Sequence, residues 1–80
     1  MEYTTIYKVY GCDTGREPIL YAEFLDLKSA CKYAVAQYGK IHYNLPEVEK
    51  HTYFYNPEIH DVVHTMETIK PEQIHYMNKI

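Results

Sequence analysis

The sequence contains no tryptophan, only three glycines, and only two cysteines, Cys12 and Cys31, which are not spaced as a CxxC motif. It also has no apolar run that approaches the roughly 18 residues needed to span a bilayer. Its start, Met1-Glu2-Tyr3, lacks the basic and apolar segments of a signal peptide. These absences predict a cytoplasmic protein that does not bind membranes and whose two thiols are free. A disulfide between Cys12 and Cys31 is the alternative.

Ten tyrosines are the strongest compositional feature of this chain of 80 residues. The tyrosine ring buries well, but its hydroxyl still needs a partner or water. A single domain this short has a small core and cannot enclose all its aromatic side chains. Several tyrosines are therefore expected at the surface, where aromatic residues are typical of binding patches.

The charge is unevenly distributed between the two halves of the chain. Residues 1–40 carry equal numbers of acidic and basic side chains, whereas residues 41–80 have a net charge of −3 and contain all five histidines. An acidic half repels phosphate and suits a basic protein partner. No repeat, low-complexity tract or linker divides the sequence, so residues 1–80 are predicted to form one globular domain.

The first half predicts two strands followed by a helix. Residues 3–10 and Ile19–Leu25 are rich in β-branched and aromatic residues, and the glycines and proline between them favour a hairpin loop. Alternation along the second strand places three side chains on one face: Leu20, Ala22 and Phe24. In the helix, Asp26 is a good N-cap and Gly39 a good C′ residue. The apolar stripe of this helix is predicted to consist of Leu27, Ala30, Cys31, Ala34 and Tyr38.

The second half predicts two more strands. Pro46 interrupts residues 41–50, where Glu47–Lys50 is either a helical turn or a loop. A strand is predicted at His51–Tyr55, a turn at Asn56–Glu58 and a second strand at Ile59–Ile69. Pro71 either opens a short C-terminal helix or simply ends the strand. The resulting order, β-β-α-β-β with a short helix or tail, predicts an α+β domain in which one helix covers one face of a small antiparallel sheet.

The histidines do not form a convincing metal site. His60-Asp61-Val62-Val63-His64 is similar to the HExxH zinc motif, which works on a helix because residues four apart share one side. The valines here favour a strand, on which such residues lie roughly 13 Å apart. Cys31, on the apolar stripe, is expected to be a buried hydrophobe and not a nucleophile. We therefore predict no enzymatic activity, no catalytic residues, no metal ligands and no cofactor.

The tyrosines invite comparison with the stacking platforms of RNA-binding sheets, but such sheets place basic residues beside their aromatics. Here the neighbours are acidic, which argues against direct nucleic-acid binding and for a protein partner with a basic surface. The tyrosines and carboxylates predicted to contact that partner are Tyr7, Tyr10, Glu47, Glu49, Tyr53, Tyr55, Glu58, Asp61 and Glu67. Ordinary cross-strand packing is the alternative role for the tyrosines.

The whole character of the chain resembles the small proteins with which phages block host defences, anti-CRISPR proteins in particular. The segment Ile69-Lys70-Pro71-Glu72-Gln73-Ile74 is similar to the tail of one family of type I inhibitors. The resemblance implies a non-enzymatic inhibitor in the host cytoplasm whose carboxylates meet the lysines and arginines of a CRISPR effector complex that normally bind guide RNA or target DNA. A net charge of −3 is low for a DNA mimic, so tyrosines and a few carboxylates are expected to form the contact.

Two other functions remain open at this point. The chain is alternatively a small regulatory or accessory subunit of a cytoplasmic complex, with a homodimer formed through an open sheet face or edge as one form of it. The remaining alternative is a small enzyme or metal protein that uses the histidines.

Overall fold

The computed structural model describes residues 2–11, 17–38, 40 and 44–80. The described elements are β1 (Tyr3–Gly11), β2 (Ile19–Phe24), α1 (Leu27–Gln37), β3 (Glu47–Asn56), β4 (Asp61–Thr68) and α2 (Pro71–Lys79). The predicted α+β class and the β-β-α-β-β order are confirmed. The C-terminal segment is a helix with Pro71 in its first turn, as one of the two alternatives for that proline predicts.

The four strands form one antiparallel sheet in the order β2-β1-β3-β4, so β1 and β3 are central and β2 and β4 are the edges. The prediction of a helical turn or loop at Glu47–Lys50 is wrong, because β3 begins at Glu47. Pairing with β1 explains the difference: Val48 lies opposite Val9, and both side chains are buried. Tertiary pairing therefore overrides the weak local preference of an acidic segment that follows a proline.

Helix α1 begins where the sequence predicts. The side chain of Asp26 accepts a hydrogen bond from the backbone N–H of Ser29 at 2.8 Å, which caps the helix and lowers the pKa of this carboxyl group. Tyr38 was expected in the apolar stripe, but it is the C-cap, has an extended backbone and is exposed. The helix ends one residue too early for Tyr38 to continue the stripe. The predicted C′ residue, Gly39, lies outside the described residues.

The core lies between α1 and one face of the sheet. Its fully or almost fully buried apolar residues are Val9, Ala30, Cys31, Ala34, Val48, Ile69 and Ile74. Small residues on α1 allow the helix to approach the strands closely, and α2 packs against α1 and contributes Ile74 to the same core. Cys31 is a free thiol, and burial raises its pKa, so it acts as a small hydrophobe in the folded protein.

A bulge changes the expected faces of β2. The register between β1 and β2 shifts between Val9 and Tyr10, which places Leu20 opposite Tyr10. The prediction that Leu20 shares a face with Ala22 and Phe24 is therefore wrong, because the extra residue reverses the alternation. Gly11 leaves room for the ring of Tyr21, which would have to shift if a Cβ were added at this position.

Candidate functional site

The two faces of the sheet have different surroundings. Helix α1 packs against β1, β2 and β3 on the face that contains Val9 and Val48. The opposite face, which we call the open face, is covered by neither helix. Across β1, β3 and β4 it consists of Thr4, Ile6, Lys8, Tyr10, Glu47, Glu49, His51, Tyr53, Tyr55, Val62, His64, Met66 and Thr68. This uncovered face is the candidate interaction surface.

The structure brings together five of the nine residues predicted to bind a partner. On the open face lie Tyr10, Glu47, Glu49, Tyr53 and Tyr55. The other four lie elsewhere: Tyr7 packs against the core on the helix-covered face, Glu58 is in the turn after β3, and Asp61 and Glu67 are on the other face of β4. Those three carboxylates are nevertheless exposed. The predicted set is therefore one group spread along β3 and the end of β1 on the open face, and a second, acidic group along β4 and its turn.

At the centre of the open face, a hydrogen-bonded chain joins Glu49, His51 and His64. Nε2 of His51 is 2.9 Å from Oε1 of Glu49, and Nδ1 of His51 is 2.8 Å from Nε2 of His64. The ring of His51 is held between the two, with a relative exposure of only 7%. All three groups are satisfied when His51 donates to Glu49 and accepts the Nε2–H of His64. His51 is thus a fixed, largely desolvated polar side chain, although it lies on the face of the sheet that neither helix covers.

An aromatic contact extends this chain across the hairpin. Tyr53 lies directly opposite His64, and their rings stack with centroids 4.4 Å apart and planes 8° apart. His51 and Tyr53 follow each other on the same face of β3. The stack and the hydrogen bonds hold the middle of β4 against β3 although no helix covers it. The open face is therefore prearranged, which lowers the entropic cost of binding a partner.

Sequence reasoning missed this pair of histidines because their contact is made across strands. The pattern suggested His60 and His64 as partners, but His60 is in the turn with a positive φ of 53° and His64 is on β4. The strand predicted for that segment is confirmed from Asp61 onward, whereas Ile59 and His60, which were predicted to begin it, belong to the turn. The alternation of Glu49, His51 and Tyr53 along one strand was a usable signal, but the residue opposite His51 follows only from the hairpin register.

The β3–β4 hairpin, residues 47–68, carries the net negative charge of the molecule. It contains five carboxylates against the single lysine Lys50, a net charge of −4, whereas the whole chain has −3. The turn is ordered by a hydrogen bond from the backbone N–H of Glu58 to the side chain of Asn56 at 2.9 Å. Exposed apolar side chains, Tyr55, Val62 and Met66 on the open face, accompany these charges.

No pocket opens in the part of the chain that the structure describes. Among those same residues, no group of three or more histidine, cysteine, aspartate or glutamate side chains is arranged to hold a metal ion. None of the described helices has both the length and the apolar character required to cross a membrane. Comparisons with protein-family models, curated proteins and solved structures found no match.

Proposed function

We propose that this protein is a non-enzymatic inhibitor that binds another protein through the open face and the acidic hairpin. The observation that supports the proposal is the coincidence of three features on one hairpin: neither helix covers its open face, it carries a net charge of −4, and it exposes tyrosine, valine and methionine side chains. Interfaces combine apolar and aromatic anchors with a polar rim, and this hairpin offers both.

The partner surface is basic. The carboxylates of the hairpin attract lysine and arginine side chains over several ångströms and repel phosphate. A surface that normally binds nucleic acid has the charge that this hairpin complements. By occupying it, the protein would exclude the nucleic acid without any chemical step.

The resemblance to anti-CRISPR proteins gives the proposal its specific form. In that form the protein is phage-encoded, and its target is the RNA- or DNA-binding surface of a CRISPR effector complex in the host cytoplasm. Tyr53 and Tyr55 supply contact area, and Glu47 and Glu58 meet basic side chains.

The test is affinity capture of the tagged protein from lysate of its host, followed by mass spectrometry at low and moderate salt. We expect one stoichiometric nucleoprotein complex whose recovery falls as salt rises. The double variant Glu58→Lys/Asp61→Lys should lose at least about tenfold in affinity for it, since two attractive contacts become repulsive. The matched control is Glu17→Lys, a reversal of an exposed glutamate just before β2, at the opposite edge of the sheet.

Both variants are checked for unchanged thermal unfolding before the comparison. Equal affinity of wild type and the double variant for the captured partner would rule out the acidic hairpin as the contact. Recovery of free nucleic acid as the main ligand would also contradict the proposal.

A further inference from the structure

We propose that the outer edge of β4 accepts an extended, basic segment of the partner as a fifth strand of the sheet. This inference rests on the proposed function and specifies how the hairpin binds. Strand addition of this kind gains affinity from backbone hydrogen bonds and specificity from alternate side chains.

The outer edge of β4 is unusually well suited to pairing. β4 pairs with β3 without a register shift from Glu49↔Thr68 to Asn56↔Asp61, so the edge is regular along its whole length of 8 residues. Natural edge strands are protected by proline, by charged side chains and above all lysine, by bulges or by short length. Asp61–Thr68 contains neither proline nor lysine, and its two charged residues, Asp61 and Glu67, lie near its ends, whereas the other edge strand, β2, has 6 residues and a bulge.

The register also shows which backbone groups point outward. The backbone N–H of Ile69 donates to the carbonyl of Val48 at 2.8 Å, so this pair is of the hydrogen-bonded type. Pairs of the two types alternate along an antiparallel ladder. Asp61, Val63, Thr65 and Glu67 therefore bond to β3, and the amides of the residues between them face the edge: Val62, His64, Met66 and Thr68.

One of these four outward amides already has a partner. The N–H of Val62 donates to the carboxylate of Asp61 at 2.7 Å. That bond agrees with the outward direction of the Val62 amide. The remaining three amides, of His64, Met66 and Thr68, form a row with the spacing of a strand ladder and are the groups that an added strand would meet.

The side chains of β4 specify the chemistry of the added strand. Asp61 and Glu67 lie on one face of β4, and Val62 and Met66 lie on the open face. A strand with lysine or arginine on one face and apolar residues on the other matches both sets. A second copy of this chain does not, because pairing two hairpins would bring together two net charges of −4. The occupant is therefore a basic segment with alternating apolar residues.

The probe is a fluorescent peptide of alternating lysine and valine, as long as β4. A peptide with the same side chains but with every backbone amide N-methylated is the control, because it cannot donate to the edge. We expect the first peptide to bind and the second to bind at least about tenfold more weakly, as the loss of a few backbone hydrogen bonds implies. Amide exchange of His64, Met66 and Thr68 should slow on binding, whereas Val63 and Thr65 should change little.

The matching protein variants are Met66→Pro and Met66→Ala. Proline removes an outward N–H and leaves the ladder with β3 intact, so Met66→Pro should lose at least about tenfold in affinity. Met66→Ala removes the same side chain and keeps the amide, so it should bind the peptide within about threefold of wild type. Circular dichroism shows whether both variants fold, and the N-methylated peptide tests the complementary hydrogen bonds, those that the peptide donates to the outward carbonyls of β4, on the unmodified protein.

Strand addition is overturned if the N-methylated peptide binds as well as its parent, if the outward amides gain no protection, or if the wild-type protein does not bind the peptide. It is also overturned if sedimentation shows a wild-type dimer that Met66→Pro dissociates, because the edge then pairs with a second copy. These results leave the proposed function standing as long as Glu58→Lys/Asp61→Lys still weakens binding to the captured partner by at least about tenfold. Loss of that charge effect would remove the proposed function itself.

Discussion

The end of the sheet that α1 covers and the end that β4 forms differ in how far they bury their side chains, as two valines show. Val9 on β1 is 0% exposed beneath α1, and Val62 on β4 is 57% exposed on the open face. Both residues are in regular antiparallel strands of the same sheet. The difference lies in what covers them: α1 packs on β1, β2 and β3, whereas the main contacts of β4 among the described elements are with its neighbour β3.

The two regions of the molecule differ in burial and in charge. The helix-covered end contains the core, and its charges are nearly balanced. The hairpin contains the net negative charge, the exposed apolar side chains and the histidine pair. A core of this size supplies only a few kcal/mol of net stability, so the covered end has little to spare. Changes there should be far more damaging than changes on the hairpin, which makes the division testable.

The largest effect is expected for a pair of isoleucines. Ile74 on α2 is 1% exposed and Ile59 in the hairpin turn is 59% exposed. Ile74→Ala should lower the free energy of unfolding by about 2–5 kcal/mol, enough to unfold much of the protein. Ile59→Ala should change it by less than about 0.5 kcal/mol. Urea denaturation measures both, and equal losses would erase the distinction between the two ends.

An intermediate effect is expected within the hairpin, where His51 is an exception to the general exposure of the side chains. His64→Ala removes the hydrogen-bond partner of the nearly buried His51 and the ring that stacks on Tyr53. An unpaired buried group costs roughly 1–3 kcal/mol. His75→Ala, at an exposed position of α2, is the control and should have little effect. If the two substitutions prove equivalent by thermal denaturation, the histidine pair does not hold the hairpin together.

The smallest effect concerns acid stability of the covered end. Because the cap hydrogen bond lowers the pKa of Asp26 in the folded state, its stabilising contribution is present at neutral pH and is lost as pH falls through that lowered pKa. Asp26→Asn keeps a cap acceptor that does not titrate. The stability of wild type relative to this variant should therefore decline as pH falls below about 5, and the decline should continue below the ordinary aspartate pKa of about 3.9 until the lowered pKa is passed. A difference that does not change with pH would show that the Asp26 carboxylate is not the cap in solution.

Much of the fold follows from local sequence. The N-cap at Asp26, the apolar stripe of α1 as far as Ala34, the antiparallel pairing of the first two strands and the turn at Asn56 are set by neighbouring residues, and these predictions are confirmed, whereas the predicted loop between the first two strands lies mostly outside the described residues. The bounds of β4 and the start of α2 at Pro71 also agree with expectation within two residues. These features need no knowledge of distant contacts.

The errors occur where pairing with a strand that is distant in sequence determines the local structure. Glu47–Lys50 has no strong preference of its own and becomes a strand because Val48 pairs with Val9 on the neighbouring strand β1, which is distant in sequence. Leu20 changes face because of a bulge that only the β1–β2 register reveals. The same limit hid the chain from Glu49 through His51 to His64, since no spacing along one strand indicates which residue lies opposite. The residue types of the candidate site could therefore be predicted, but their arrangement across the strands could not.

The hydrogen bond between Ile69 and Val48 has a consequence for how the hairpin can change in length. At the base of the hairpin, beside the buried core, it determines which residue pairs of the two strands are hydrogen-bonded. Adding or deleting one residue in each strand beyond that bond would turn every more distal side chain to the opposite face, because strand side chains alternate with period two. Viable length variants should therefore differ by two residues in each strand. The reach of the hairpin can thus grow or shrink only in steps of about 7 Å while the open face keeps its chemistry.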